Sequence, residues 1–266
     1  MKSRAARRSS RVKRPRPVIC DGIVIRACFG MEEFEACLKV ERAVWNSADI
    51  DVVPIPLFVI ASETGGQVIG AFDGRDVVGF TLAIAGWRDR KPFLHSHMTA
   101  VLHKYRNRGI GRRLKLFQRE DALARGISLI EWTFDPLITK NAYFNLMRLG
   151  AVARRYLPNA YGITTSPLHA GLPTDRLVAE WHLHSPRVQR IVAGKKAMAG
   201  VSENGARISI GTGLEELKRS GLTNAIRRQS EIRDQFTRLL GRGYAATGVA
   251  PNQSGMDYIL EPWKGS

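Results

Sequence analysis

Apolar and polar positions change rhythm several times along this chain, and each change predicts an element. Gln67 to Phe72 and Asp76 to Ala85 are two apolar runs joined at Asp73-Gly74, the pattern of a β-hairpin. In the second run Val78, Phe80, Leu82 and Ile84 alternate with Val77, Gly79, Thr81 and Ala83. Both faces are apolar, which predicts a central strand. Upstream, Gly22 to Arg26 reads as a first strand. Met31 to Trp45 reads as a helix, with Phe34, Leu38 and Val44 or Trp45 near one face. Leu57 to Ser62 stands open between helix and strand.

Downstream of the hairpin, Phe93 to Val101 predicts a strand that feeds a helix from Gly109 to about Arg125. The helix stripe is Ile110, Leu114, Phe117 and Ala124, widened by Leu116 and Leu123, and Gly126 ends it. Ser128 to Phe134 is a strand, Asp135-Pro136 a turn, and Thr139 to Leu149 a helix closed by Gly150. Ala151 to Tyr156 and Leu177 to His184 are two further strands. After Pro186 the chain becomes more basic. Arg187 to Ala199 reads as helical, Arg207 to Ile210 as a short strand and Leu222 to Leu240 as a helix. Tyr244 to Thr247 and Tyr258 to Leu260 fit a last hairpin. The order predicts a mixed α/β (α+β) fold over residues 20–185, preceded by a tail (1–19) and followed by a small α+β extension (186–266).

Charge refines that division. The 266 residues carry a net charge of +17, and residues 1–17 hold eight Lys or Arg and no acid. Such a tail, without an apolar stretch, is read as a disordered arm rather than a secretory signal. Basic surface suits nucleic acid, an anionic membrane or an anionic cofactor. The chain holds no finger-like Cys/His pattern, RNP-like aromatic motif or clear helix-turn-helix, so a nucleic-acid-binding or nucleic-acid-modifying protein stays as an alternative only. No apolar run reaches the ~18 residues of a membrane span. The three cysteines, Cys20, Cys28 and Cys37, fit reduced thiols in a cytoplasmic protein.

The most informative stretch is Tyr105-Arg106-Asn107-Arg108-Gly109-Ile110-Gly111-Arg112-Arg113-Leu114. A glycine-bearing turn that opens a helix after a strand can hold phosphate. Its amides approach the anion, and the helix start adds positive potential. A P-loop would need Lys-Ser or Lys-Thr after the last glycine, and a dinucleotide fingerprint would need a third glycine where Leu114 stands. The spacing present is Arg-x-x-Gly-x-Gly, from Arg106 to Gly111.

That spacing, with Val101-Leu102-His103-Lys104-Tyr105 before it, resembles the coenzyme A loop of the GNAT acyltransferase superfamily. Further words in order resemble a bacterial and archaeal branch of predicted acetyltransferases: Trp132-Thr133-Phe134-Asp135-Pro136-Leu137, Asn141-Ala142-Tyr143-Phe144-Asn145, Tyr161-Gly162, and Asp175-Arg176-Leu177 with Glu180-Trp181. The resemblance implies a GNAT fold, with a mixed central sheet splayed between its fourth and fifth strands and flanking helices. It implies acetyl-CoA as co-substrate, with no metal. Arg106, Asn107, Arg108, Gly109, Ile110, Gly111 and Arg112 would grip the diphosphate. Backbone groups near Ala100 and Val101, and Asn141, would meet the pantetheine arm. The acetyl group would pass by direct attack in a ternary complex to an amine on a small molecule or protein. A non-catalytic acyl-CoA sensor is the rival reading.

His95 and His97 lie two apart on a strand and so share a face. Either imidazole titrates in the right range to take a proton from an ammonium. The plainer alternative is two half-buried histidines bonded to neighbours. Asp135 either orients a catalytic group or caps the following turn, and capping is the commoner role. GNAT enzymes often place a Tyr acid four residues before the glycine that ends the fourth helix. Here that position is Leu146, which leaves Tyr143 or Tyr161 as substitutes. His182 and His184 also alternate, on a strand read as a polar edge.

Overall fold

The computed structural model describes residues 15–46, 52–162, 171–197, 202–211, 219 and 221–265. Residues 1–14, with most of the basic tail, lie outside the described residues. The first described element is a small edge hairpin, β1 (Val18–Cys20) against β2 (Ile23–Ala27). Two helices follow, α1 (Gly30–Trp45) and α2 (Ile55–Glu63). The segment left open by the sequence is therefore helical. Pro54 caps it and Pro56 sits in its first turn, where a missing N–H costs nothing.

The strands β3 (Gln67–Asp73), β4 (Asp76–Arg88) and β5 (Lys91–Val101) run antiparallel. The β4–β5 hairpin is longer than the apolar pattern suggested. Asp89 and Arg90 both adopt left-handed φ (49° and 61°), as a two-residue hairpin turn requires, so pairing continues out to Arg88 and Lys91. A short 3-10 turn (His103–Tyr105) leads to α3 (Ile110–Ala124) and then β6 (Leu129–Phe134). α4 (Thr139–Ala142) passes directly into a π turn over Tyr143–Arg148. β7 (Val152–Leu157), β8 (Arg176–His182), α5 (Pro186–Val192), β9 (Ala206–Ser209), α6 (Leu222–Gly241), β10 (Tyr244–Asn252) and β11 (Gly255–Pro262) complete the described chain. α5 stops well short of the expected Ala199 because Gly194 turns to φ 86°; residues 198 and 199 themselves are not described.

The eleven strands of the described residues form one sheet in the order β1-β2-β3-β4-β5-β6-β8-β7-β10-β11-β9. Every pairing is antiparallel except β5 with β6. α1 and α2 cover one face of the first half through Phe34, Phe58, Phe80 and Leu82. α3 covers the other face through Ile25, Ile69, Ile110 and Leu114. The last strands continue the same sheet, joining it where Ala246 of β10 meets Ala153 of β7. α6 shares its core with the middle of the sheet: Ile232 and Phe236 pack in one cluster with Trp181, Leu177 and Tyr258. Among the described residues no helix is long and apolar enough to cross a membrane.

Candidate active site

The sheet opens between β5 and β6. β5 and β6 pair only at Leu94–Ile130 and His95–Glu131. Beyond those two rungs the strands part, so β5 from Ser96 to Val101 has β4 on one side and no strand on the other. Backbone groups along that edge are available to an extended ligand.

At the wide end of this wedge the chain turns through Asn107 (φ 62°) and Gly109 (φ 75°, ψ 2°) into α3. Gly109 is the N-cap and offers no side chain, so the first-turn amides of α3 have no internal cap. The glycines leave the approach clear. A Cβ built on Gly109 meets nothing nearer than Arg113 Nη2 at 4.0 Å, and one on Gly111 only Val101 Cγ2 at 4.0 Å.

Both features line one cavity of about 720 Å³. Val101 brings the free edge of β5; Arg106, Asn107, Gly109, Ile110, Gly111 and Arg112 bring the turn; Asn141, Tyr143 and Phe144 bring the opposite helix, and Met256 reaches in from β11. An elongated anionic ligand entering here meets amides and cations first and an unpaired strand edge next.

Residues 31–144 match the family model of the acetyltransferase (GNAT) family. Those residues form a GNAT acetyltransferase domain. Among solved structures it resembles a GNAT-family protein from Desulfovibrio desulfuricans, with a TM-score of 0.50 at 14% identity over 60% of this chain and 99% of that one. It resembles equally a chain of the NatC complex solved with Gag peptide and CoA, TM-score 0.50 at 13% identity, over 60% of this chain and 98% of that one. At such identities the likeness is one of fold. No curated protein matches the sequence.

At the mouth of the gap, on β5, the two histidines sit side by side, ring centroids 6.3 Å apart, and neither lines the 720 Å³ cavity. The reason goes beyond strand alternation. β5 is irregular here: Ala83 faces Ser96 and Leu82 faces Met98, so His97 is the extra residue of a bulge. Ser96 faces α3, where it bonds Lys115, so His95 takes the opposite face, the one toward α1 and α2. His95 is half-buried and its pKa is lowered, first by burial and then by the nearby His97. His97 is more exposed, and partial desolvation lowers its pKa too. Both imidazoles are therefore neutral, proton-accepting groups at pH 7.

His95 faces Glu131 across the first rungs. Glu131 is buried and is held by Arg88 and by Arg155, the latter at 2.7 Å. Its neighbour Glu180 on β8 is equally buried. Burial pushes the Glu180 carboxyl up, yet bonds from His182 and Arg154 bring it below the usual range. His182 is thus part of this ion-pair cluster rather than a plain edge residue.

The remaining site candidates separate by position. Tyr143, 47% exposed, lines the cavity, whereas Leu146 is fully buried in the core. Counting back four residues from Gly150 presumes α-helical spacing, and the π turn breaks that count. Tyr161 lies elsewhere, its hydroxyl 2.7 Å from Thr133 Oγ1 on β6, on the same side of that strand as Glu131. Asp135 Oδ1 accepts the Leu137 N–H at 2.8 Å, the turn-capping role. Ala100 is buried against α1 and α2, so only its main chain faces the wedge. Arg108 lies over the Tyr105 ring, 5.4 Å away, and does not line the cavity. Arg112 does line it, but its guanidinium is tied to the carbonyls of Arg148 and Ile191.

Sequence reasoning missed Lys115, Arg148 and Met256. Lys115 stands between Leu114 and Leu116 on an amphipathic helix, where a lysine reads as solvated. Met256 reaches the cavity only through long-range strand pairing. Lys115 and Met256 carry no local signal.

Proposed function

We propose that this GNAT domain moves an acetyl group from acetyl-CoA to an amine acceptor by direct attack in a ternary complex. One observation carries the reading: a single cavity joins the uncapped first turn of α3 to the unpaired edge of β5. The amides at Gly109–Gly111, backed by Arg106, suit a diphosphate. The open β5 edge at Ala100 and Val101 suits an amide-bearing arm laid alongside it as an extra strand. When bound, acetyl-CoA supplies an activated acyl group and a thiol leaving group.

The protein's own groups would do three things. His95 or His97, neutral at pH 7, takes the proton of the incoming ammonium, directly or through water. Backbone donors of the unpaired edge polarise the thioester carbonyl. Tyr143, in the cavity wall, returns a proton to the departing thiolate. A coenzyme thiol resembling free Cys, pKa roughly 8.5, needs little help in leaving.

Calorimetric titration of acetyl-CoA tests the reading. Saturable binding is expected for the wild type, and none for Gly109→Glu plus Gly111→Glu in a protein that still melts cooperatively. No wild-type binding, or undiminished binding by the double variant, would overturn it.

A further inference from the structure

A second, smaller cavity of about 320 Å³ opens beside the first and shares Arg112, Tyr143 and Arg148 with it. Its outer wall belongs to the end of α5 (Ile191) and the segment after it: Gly194, Lys195, Lys196 and Ala197. Among the described residues four cations line it and no acid does. Among the described residues none of the four forms an ion pair, although the chain has many elsewhere. Arg112 is fixed in place by two carbonyls, Arg148 at 3.4 Å and Ile191 at 3.2 Å. Burial lowers its pKa, and the Arg148 cation lowers it further.

Cations that converge without a counter-ion repel one another, and an anion relieves the repulsion. Lysines beyond a helix C-terminus also complement its dipole, and Lys195 and Lys196 follow α5. That account leaves out Arg112 and Arg148, which come from α3 and the π turn and point to the same hollow. The hollow begins one residue past the glycine pair. In coenzyme A the diphosphate is attached to a ribose that bears a 3′-phosphate a few bonds away. The volume fits a phosphoribosyl group and the charge fits a phosphate dianion.

We propose that this cavity is a phosphomonoester site that receives the ribose 3′-phosphate of coenzyme A. Lys195, Lys196 and Arg148 contact the phosphate, and Arg112 frames it. The proposal rests on the reading of the larger cavity as the coenzyme A site. The lysines lie outside residues 31–144, the part that matches the family model, so this chain's own extension selects the phosphorylated form of the carrier.

The experiment compares acetyl-CoA with acetyl-3′-dephospho-CoA by calorimetry on the full chain, wild type and Lys195→Ala plus Lys196→Ala. Both lysines are exposed, and a thermal melt confirms folding. The wild type is expected to prefer acetyl-CoA by roughly 10- to 100-fold, as charge-assisted contacts to a dianion imply. The double variant is expected to lose most of that preference while binding the dephospho form as the wild type does. Equal wild-type affinities, or an undiminished preference in the variant, overturn the phosphate site alone. Binding of neither thioester overturns the coenzyme A reading and the phosphate site with it.

Discussion

Lys115 Nζ lies 2.9 Å from Ser96 Oγ, under the first rung that β5 and β6 fail to make. It also sits 4.0 Å from the ring centroid of Trp132, the β6 residue that such a rung would bring opposite Ser96. Its third contact is Gln118 Oε1 at 2.5 Å. One buried cation therefore spans the base of the wedge, bonded to one strand and stacked on the other.

Burial lowers the Lys115 pKa from 10.5 to about 7. Below pH 7 folded and unfolded chains both hold the proton, and the native state bears the full cost of an interior charge. Between about 7 and 10.5 the unfolded chain holds more protons, so stability rises with pH. The span is worth roughly 5 kcal/mol at most. Melting of wild type and Lys115→Met from pH 6 to 10 should show the wild type gaining on the variant above pH 7. Parallel curves would refute it.

The histidines give a pH signature of another kind. Burial lowers both, so kcat/KM should rise through a pKa below 6.5 and level off near neutrality. Replacing the working base by Ala should remove that limb and cost on the order of 10²- to 10⁴-fold. An unaltered profile in both His95→Ala and His97→Ala would take them out of the chemistry.

Tyr143→Phe should lower kcat about tenfold and leave the KM for acetyl-CoA within a factor of about two, the pattern of a proton donor that adds little to binding. Leu146→Tyr should not rescue it. That side chain is fully buried, and a larger one should cost about 1–3 kcal/mol of stability. Steady-state kinetics and thermal melts decide both points.

Asp175 is fully buried and accepts four bonds: Arg233 Nε at 2.8 Å and Nη2 at 3.0 Å, Tyr156 hydroxyl at 2.8 Å and Asn159 N–H at 2.9 Å. Arg233 is on α6, so this clamp ties the last helix to the central sheet. Arg233→Met should strip an interior carboxylate of its charge partner and cost about 3 kcal/mol in urea unfolding. A loss under about 1 kcal/mol, the range of exposed pairs, would show the clamp to be ornamental.

Local features of the site were readable because local chemistry dictates them. Gly109 takes a φ that side chains resist. The alternation in β4 marks a strand covered on both faces. His95 and His97 are neighbours, ring centroids 6.3 Å apart, but through a bulge that leaves no trace in the spacing. The π turn is also silent, since its residues are ordinary helix formers. The pairing of Ala153 with Ala246 joins positions too distant for any periodicity to link. Lys115 is illegible for a different reason: burial of a cation depends on the aromatic and polar groups that other elements bring to it.

The continuous sheet has a practical corollary. β7 is an inner strand, flanked by β8 and β10. A fragment ended near Pro186, as the sequence's own division would suggest, would lose the β10 rung at Ala153 and unroof Leu177, Trp181 and their neighbours, which Ile232, Phe236 and Tyr258 cover. Such an open, greasy border invites self-association, so a trimmed chain would be a poor reagent and residues 186–266 belong in whatever is purified.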